Sequence, residues 1–251
     1  MSLEQKISNW LSMYLEDNKL DSFVVGISGG IDSAVTSTLC AMTGHKTYLV
    51  VMPIHQKQDE TTRGLEHCDW LKKKYPNVEH IKIDLTSVFD QFQSAFPNSF
   101  DNKLAFANSR ARIRMNSLYL IAGNHNGIVV GTGNKIEDFG VGFFTKYGDG
   151  GVDISPIADL MKSDVYKLGQ ALGVVDSIMK AKPTDGLWDD NRTDEDQLGV
   201  SYDELEWAMD FDGDESILNE SQKKILLIYK KHRNKNLHKM KAIPVFKNDS
   251  E

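Results

Sequence analysis

Cysteine is nearly absent. Only Cys40 and Cys68 occur among the 251 residues, and they form no Cys-x-x-Cys pair. A zinc site or a redox pair built on cysteine is therefore not expected. Both sit in apolar, helix-like contexts and read as buried thiols of a reducing compartment. Long apolar runs are missing too: none approaches the roughly 18 residues of a membrane span. The first residues carry no basic stretch leading into an apolar one, so no secretory signal is expected. Cytoplasmic localisation, with no membrane partner, follows as the expectation. Positive charge is in deficit, with 29 Lys and Arg against 36 Asp and Glu and a formal net charge of −7. That argues against nucleic acid as a partner, which calls for a basic face. No H-E-x-x-H spacing exists. His45, His55, His67, His80 and His125 are scattered and read as surface or turn residues. Repeats and low-complexity segments are also lacking.

One stretch stands out, Gly26-Ile27-Ser28-Gly29-Gly30-Ile31-Asp32-Ser33. It follows the apolar run Phe23-Val24-Val25, read as a buried strand, and precedes a helix from Ala34 to Met42. A strand, a glycine turn and a helix in that order make an anion site. Glycines let the backbone approach closely, and the helix start offers free N–H groups and a positive dipole end. The loop is neither a P-loop, which needs a lysine before its hydroxyl residue, nor the G-x-G-x-x-G dinucleotide turn. Asp32 would repel a pyrophosphate unless a divalent cation stood between them, so Mg²⁺ is expected.

Along the chain, an amphipathic helix is predicted over residues 3–17, with Ile7, Trp10, Leu11, Tyr14 and Leu15 on one face. Further strands are predicted at Thr47 to Met52, Val78 to Ile83 and Ile128 to Thr132. Helices are predicted over 59–75, 85–93 and 103–124. The β-α-β-α-β order argues for a Rossmann-like, doubly wound parallel sheet with helices on both faces, an α/β fold. Ligands then gather at the carboxyl ends of the strands, where the glycine loop and the segment Pro53 to Asp59 both lie. The latter is a candidate adenosine site. Arg110, Arg112 and Arg114 on the long helix read either as a solvated basic face or as an anion clamp. A second glycine-rich loop runs from Asn134 through Glu137 and Asp138 to Gly151, followed by a short strand at Val152 to Ile154. Ser163 is the expected N-cap of a helix that ends before Gly173. The polar stretch 182–199 reads as a mobile lid or as a solvated loop. Ser201 to Glu204 is a capping box, and a helix is predicted over 221–233 ahead of a basic tail. The chain reads as one domain over 1–251, with a C-terminal helical extension from about residue 200.

Several strings occur together: Ser-Gly-Gly-Ile-Asp-Ser in the first loop, Arg112, Val130-Gly131-Thr132 before Glu137, and Gly142-Phe143-Phe144-Thr145-Lys146-Tyr147-Gly148-Asp149-Gly150-Gly151. Lys162, Lys182-Pro183-Thr184, Ser201-Tyr202-Asp203 and His238-Lys239 complete the set. The first loop resembles the pyrophosphate loop of the ATP pyrophosphatases (the adenine nucleotide alpha hydrolase-like fold). The whole set, over about residues 20–246, resembles ammonia-dependent NAD synthetase. The resemblance implies ATP-dependent amidation of deamido-NAD to NAD through an acyl-adenylate, releasing AMP and pyrophosphate. It implies ATP contacts from Gly26, Ile27, Ser28, Gly29, Gly30, Ile31, Asp32, Ser33, Thr132, Lys162 and Thr184. It also implies Mg²⁺ on Asp32 and Glu137, with catalysis by Asp32, Glu137 and Lys162. Arg112, Lys146, Asp153, His238 and Lys239 would contact deamido-NAD, and a homodimer would hold that substrate at its interface. The chain departs from the family pattern at Gly133-Asn134, where Asp-His often follows the Gly-Thr pair. The segment between Glu137 and Gly142 is one residue longer.

The residues agree with that chemistry. Attack on the α-phosphorus gathers negative charge, which a cation and a lysine offset. No Ser-His-Asp or Cys-His nucleophile is present and none is required, because the substrate carboxylate and then ammonia attack. About two dozen residues precede the glycine loop, too few for an amidase domain, so free ammonia is the expected nitrogen donor. Other ATP pyrophosphatases, such as a GMP synthetase or a tRNA-thiolating enzyme, compete with this reading; the thiolating enzyme would need catalytic cysteines and a basic extension. A nucleotide sensor without turnover competes as well, and paired acids for Mg²⁺ argue against it.

Overall fold

The computed structural model describes residues 1–184 and 193–248. Four parallel strands, β1 (Ser22–Gly26), β2 (Lys46–Val51), β3 (Val78–Lys82) and β4 (Gly127–Val130), form one sheet in the order β3-β2-β1-β4. In register, Phe23 lies beside Thr47 of β2 and Ile128 of β4. The order places β1 and its loop near the middle, with the crossover to β4 on one side and to β2 on the other. That is the point where an open parallel sheet forms its ligand crevice.

Side chains alternate across the sheet, and each face has its own core. Phe23, Val25, Leu49, Val51, Ile128 and Val130 point to one side. There they meet α1 (Leu3–Asp17), α2 (Ile31–Met42), α3 (Gln58–Lys74) and α6 (Lys162–Leu172). Val24, Tyr48, Val50 and Val129 point to the other side, under α4 (Thr86–Ser94) and the long α5 (Lys103–Asn124). A third apolar cluster lies apart from the sheet. It joins Ile136 and Val141 to Leu198, Leu205, Leu226 and Tyr229. These come from a π-helix at Lys135–Val141, from α8 (Asp194–Leu198), α9 (Tyr202–Asp210) and α10 (Glu220–Met240). The short α7 (Asp176–Met179) follows α6. No described helix is long and apolar enough to cross a membrane.

Four local expectations are corrected. Ser163 is not an N-cap: α6 begins at Lys162 with Met161 in the cap position, and Ser163 gives its N–H and its hydroxyl to the Glu206 carboxylate, both at 2.8 Å. That carboxylate also offsets the positive end of the helix. The residues Val152 to Ile154 contribute a single bridge, Ile154 to Val130, rather than a strand. The loop after Asn134 is a π-helix. The last helix runs on to Met240, well past residue 233. The middle of the expected lid over 182–199, residues 185–192, lies outside the described residues; from Thr193 the chain forms α8, opened by a capping box of Thr193 and Asp196.

His67 is also not a surface residue. It is fully buried on α3, its Nε2 2.8 Å from the Ser37 hydroxyl, with its Nδ1 enclosed and without a hydrogen-bond partner. Burial lowers its pKa to about 4 from the ordinary 6.5. The native state therefore holds this imidazole neutral, whereas the unfolded chain protonates it at its ordinary pKa. Its contribution to stability is whole above that pKa and falls away as the pH drops towards 4, by about 3 kcal/mol in all. Chemical denaturation across this range should show His67→Gln losing less stability on acidification than the parent. Equal pH slopes for the two proteins would contradict the assignment.

Candidate active site

The chain leaves β1 at Gly26 and turns sharply before α2. Gly29 adopts a φ of +85°, and a Cβ there would stand 2.5 Å from the Glu60 carbonyl oxygen of α3. Both facts require glycine. The turn is held from within. The Ser28 N–H donates to the Ser33 hydroxyl at 3.3 Å, the Gly30 N–H to the Ser28 hydroxyl at 3.2 Å, and the Ser33 hydroxyl to the Gly30 carbonyl at 3.0 Å. Gly30 caps α2 through its backbone alone, with no side-chain bond. The first N–H groups of α2 are thus free of intrahelical partners and available to an anion.

Asp32, in the first turn of α2, meets two residues from distant parts of the chain. Lys162 Nζ stands 2.6 Å from Asp32 Oδ2 and 2.9 Å from Glu137 Oε1. Lys162 is only 2% exposed. It opens α6, at the end of a helix where a cation is disfavoured, so the two carboxylates must hold it there. Burial alone would lower its pKa, yet Asp32 and Glu137 keep it well above the ordinary lysine value. The Tyr202 ring lies beneath the ammonium, 5.0 Å to its centre, and the Tyr202 hydroxyl donates to Glu137. Asn134 completes the junction. Its amide nitrogen donates to Asp32 Oδ1 and its oxygen accepts from the Glu137 N–H, both at 3.0 Å. Burial pushes Asp32 upward against the pull of Lys162. At Glu137 the burial penalty is outweighed by Lys162, Tyr202 and Asn134 together, so its pKa is lowered.

The surroundings hold surplus negative charge. The Asp138 carboxyl is pushed well above the ordinary carboxylate range by burial and by Asp149, Glu137 and Asp32, with Lys239 in partial opposition. Among the described residues, no three acidic, histidine or cysteine side chains form a ready metal-ligand set. Two carboxylates beside an anion loop nevertheless suit Mg²⁺, which takes one or two carboxylates and completes its shell with phosphate oxygens and water.

Four of the five residues assigned to the second substrate are linked. The exposed Arg112 guanidinium donates twice to the Lys146 carbonyl at 3.3 Å, and Lys146 Nζ lies 3.4 Å from the His238 carbonyl. The Lys239 ammonium bonds the Gly142 and Phe144 carbonyls, each at 2.7 Å. The fifth, Asp153, stands apart: its carboxylate accepts from the Tyr119 hydroxyl and the Val129 N–H at 2.8 Å. Thr132 follows β4 and is half-buried, while Thr184 is exposed at the edge of the described residues. In the segment after β2, Arg114 donates to the Met52 carbonyl at 2.9 Å and to the Gln56 side chain at 2.8 Å, which ties that segment to α5.

With this geometry in place, comparison with known proteins is decisive. The sequence profile of the NAD synthase family matches residues 3–244. The chain belongs to the NAD synthase family. An NH(3)-dependent NAD(+) synthetase of Alkaliphilus metalliredigens is 39% identical over 212 residues, 80% of this chain and 83% of the relative. The solved NMN synthetase of Francisella tularensis is 35% identical, with a TM-score of 0.86 over 97% of this chain and 96% of that one. The NH3-dependent NAD synthetase of Campylobacter jejuni is 25% identical, with a TM-score of 0.78 over 98% and 100%. The α/β fold and the ligase class are those of the family.

Within that family fold, sequence reasoning assigned no role to Asn134 or to Tyr202. The spacing Asn134-x-x-Glu137 is a capping pattern and could have marked a helix start. Tyr202 was visible as part of the capping box begun by Ser201 and of the strings that carry the family resemblance, without a role of its own. The buried ions set a clear expectation for Lys162→Met. Removing the lysine leaves two enclosed carboxylates facing each other, so stability should fall by about 3–5 kcal/mol in urea titration at neutral pH. Unchanged stability would mean that the triad carries no such strain.

Proposed function

We propose that the chain is an ammonia-dependent ligase that amidates the nicotinate carboxylate of deamido-NAD, giving NAD, AMP and pyrophosphate. The observation that carries this reading is the Lys162 ammonium held between Asp32 and Glu137 beside an anion loop, in a chain of the NAD synthase family. In the proposed first step a substrate carboxylate oxygen attacks the α-phosphorus of ATP and pyrophosphate leaves. Ammonia then attacks the acyl carbon, AMP departs with the bridging oxygen, and the added nitrogen loses its surplus proton.

The backbone of residues 26–33 would hold the triphosphate, with Ser28 and Ser33 as hydroxyl donors and Thr132 and Thr184 nearby. Lys162 would offset charge developing on the α-phosphate. Asp32 and Glu137 would hold Mg²⁺, whose contribution when bound is to neutralise phosphate charge. Arg112, Lys146, Asp153 and His238 would serve the deamido-NAD side. Lys239, bonded to two carbonyls, would shape that wall. Positioning and charge, rather than a protein nucleophile, would carry the chemistry. A homodimer belongs to the same reading: Phe92 of α4, Phe96 and Phe100 of the connection after it, and Leu104 of α5 expose an apolar surface that a second copy would cover. Sedimentation as a monomer at micromolar concentration would remove that part.

A second substrate deserves a parallel test, because the Francisella tularensis structure is an NMN synthetase and matches more closely than the Campylobacter jejuni NAD synthetase. The same chemistry on nicotinate mononucleotide would yield NMN. Protein, Mg-ATP and ammonium are incubated with deamido-NAD or with nicotinate mononucleotide, and AMP, pyrophosphate and amide product are measured. The dinucleotide reading expects the higher kcat/KM on deamido-NAD. A higher value on the mononucleotide selects the second reading. Pyrophosphate release that ignores both acids would end the ligase proposal. Glutamine in place of ammonium should support no turnover.

A further inference from the structure

The segment that follows Glu137 is held by a row of donors from α10. Arg233 Nη1 donates to the carbonyls of Phe139 and Gly140, the second at 3.1 Å. Asn236 Nδ2 donates to the Val141 carbonyl at 2.9 Å. Lys239 takes the next carbonyl, Gly142, and then Phe144. These three side chains are spaced three apart on one face of the helix, and they meet the carbonyls in chain order. The carbonyls of residues 139–141 are among those that a helix end leaves without an N–H partner. The contact is close as well as polar: Gly142 has a φ of +67°, and a Cβ there would run into the Asn236 side chain.

A π-helix is rarely stable by itself and is usually confined to one turn. This one is gripped at its start by Asn134 and at Glu137 by Lys162 and Tyr202. Its far end has α10. The Phe143 N–H then donates to the carbonyl of Glu137 itself at 2.7 Å, which ties that residue's backbone to the turn that α10 grips. We propose that Arg233 and Asn236 are positioning residues: by holding the carbonyls of residues 139–141 they fix Glu137 against Lys162 and aim the loop 143–151 that follows. Neither residue need touch a substrate. The kinetic consequences rest on the ligase reading above, but the structural consequence does not.

The test uses the full chain with Arg233→Met, Asn236→Leu and the conservative Arg233→Lys. Amide hydrogen exchange, read by mass spectrometry over peptides within 135–145, should accelerate at least about tenfold in the first two variants, through local opening of that segment. Their kcat should fall by about tenfold to a hundredfold, the scale expected when a charged group is displaced by an ångström. The KM for ATP should move by less than about threefold, since the glycine loop is buttressed by α3 rather than α10. Arg233→Lys, which keeps the charge and one donor nitrogen, should recover part of both losses. Parental exchange at 135–145 would overturn the inference. So would a uniform rise in exchange along the whole chain with kcat per folded molecule unchanged, the signature of a role in stability alone. If the parent protein makes no amide product, the ligase reading fails by itself, and the exchange measurement still decides the role of α10.

Discussion

The arrangement depends on one buried cation. Lys162 brings a full charge to a place that is almost closed to water, at a helix end whose dipole opposes it. Only Asp32 and Glu137 make that tenable. The three residues come from α2, the π-helix and α6, and Asp32 lies more than a hundred positions before the other two. Each carboxylate has a second donor, Asn134 for Asp32 and Tyr202 for Glu137. A buried ion group is seldom the cheapest way to stabilise a fold, since packed apolar side chains of similar size often do as well or better. Its retention here is accounted for by what stands next to it: a glycine turn at the carboxyl end of β1 that leads into the free N–H groups at the start of α2.

The sheet explains why these groups converge. β1 and β4 run side by side and in the same direction, so the loops that leave them emerge at the same edge. The first loop starts α2 and carries Asp32. The second passes Thr132 and Asn134 and becomes the π-helix that carries Glu137. The third apolar cluster, built by α8, α9 and α10, lies off the sheet and packs on Ile136 and Val141 of that helix. The C-terminal helices thus form a buttress for one acidic residue and the loop beyond it, in addition to covering apolar surface.

Much of this was legible in the sequence because it obeys simple periodicities. Phe23-Val24-Val25 alternates between two faces and is buried on both, and Gly29 follows at the one position where the turn demands a positive φ. Three features escaped, each for a physical reason. Lys135 to Val141 has too much polarity and a glycine too many for an ordinary helix, and it folds as a π-helix. Ser163 has the chemistry of an N-cap, but the helix opens one residue before it, because Lys162 is drawn to Asp32 and Glu137 and Ser163 is taken by Glu206. The helix beyond residue 233 was invisible because its working face is made of Arg233, Asn236 and Lys239. A search for apolar periodicity passes over a face that binds carbonyls. His67 was misread for a related reason: one polar residue on an apolar helix face gives no sign of whether a hydroxyl such as that of Ser37 waits inside.

The most direct measurement is a crystal structure of the protein with Mg²⁺ and a non-hydrolysable ATP analogue. The account predicts the triphosphate on the N–H groups of residues 28–33, with Lys162 still between Asp32 and Glu137 or shifted towards the α-phosphate, and the metal on the two carboxylates. A triphosphate bound elsewhere, with that loop empty and the Lys162 triad unchanged, would contradict it.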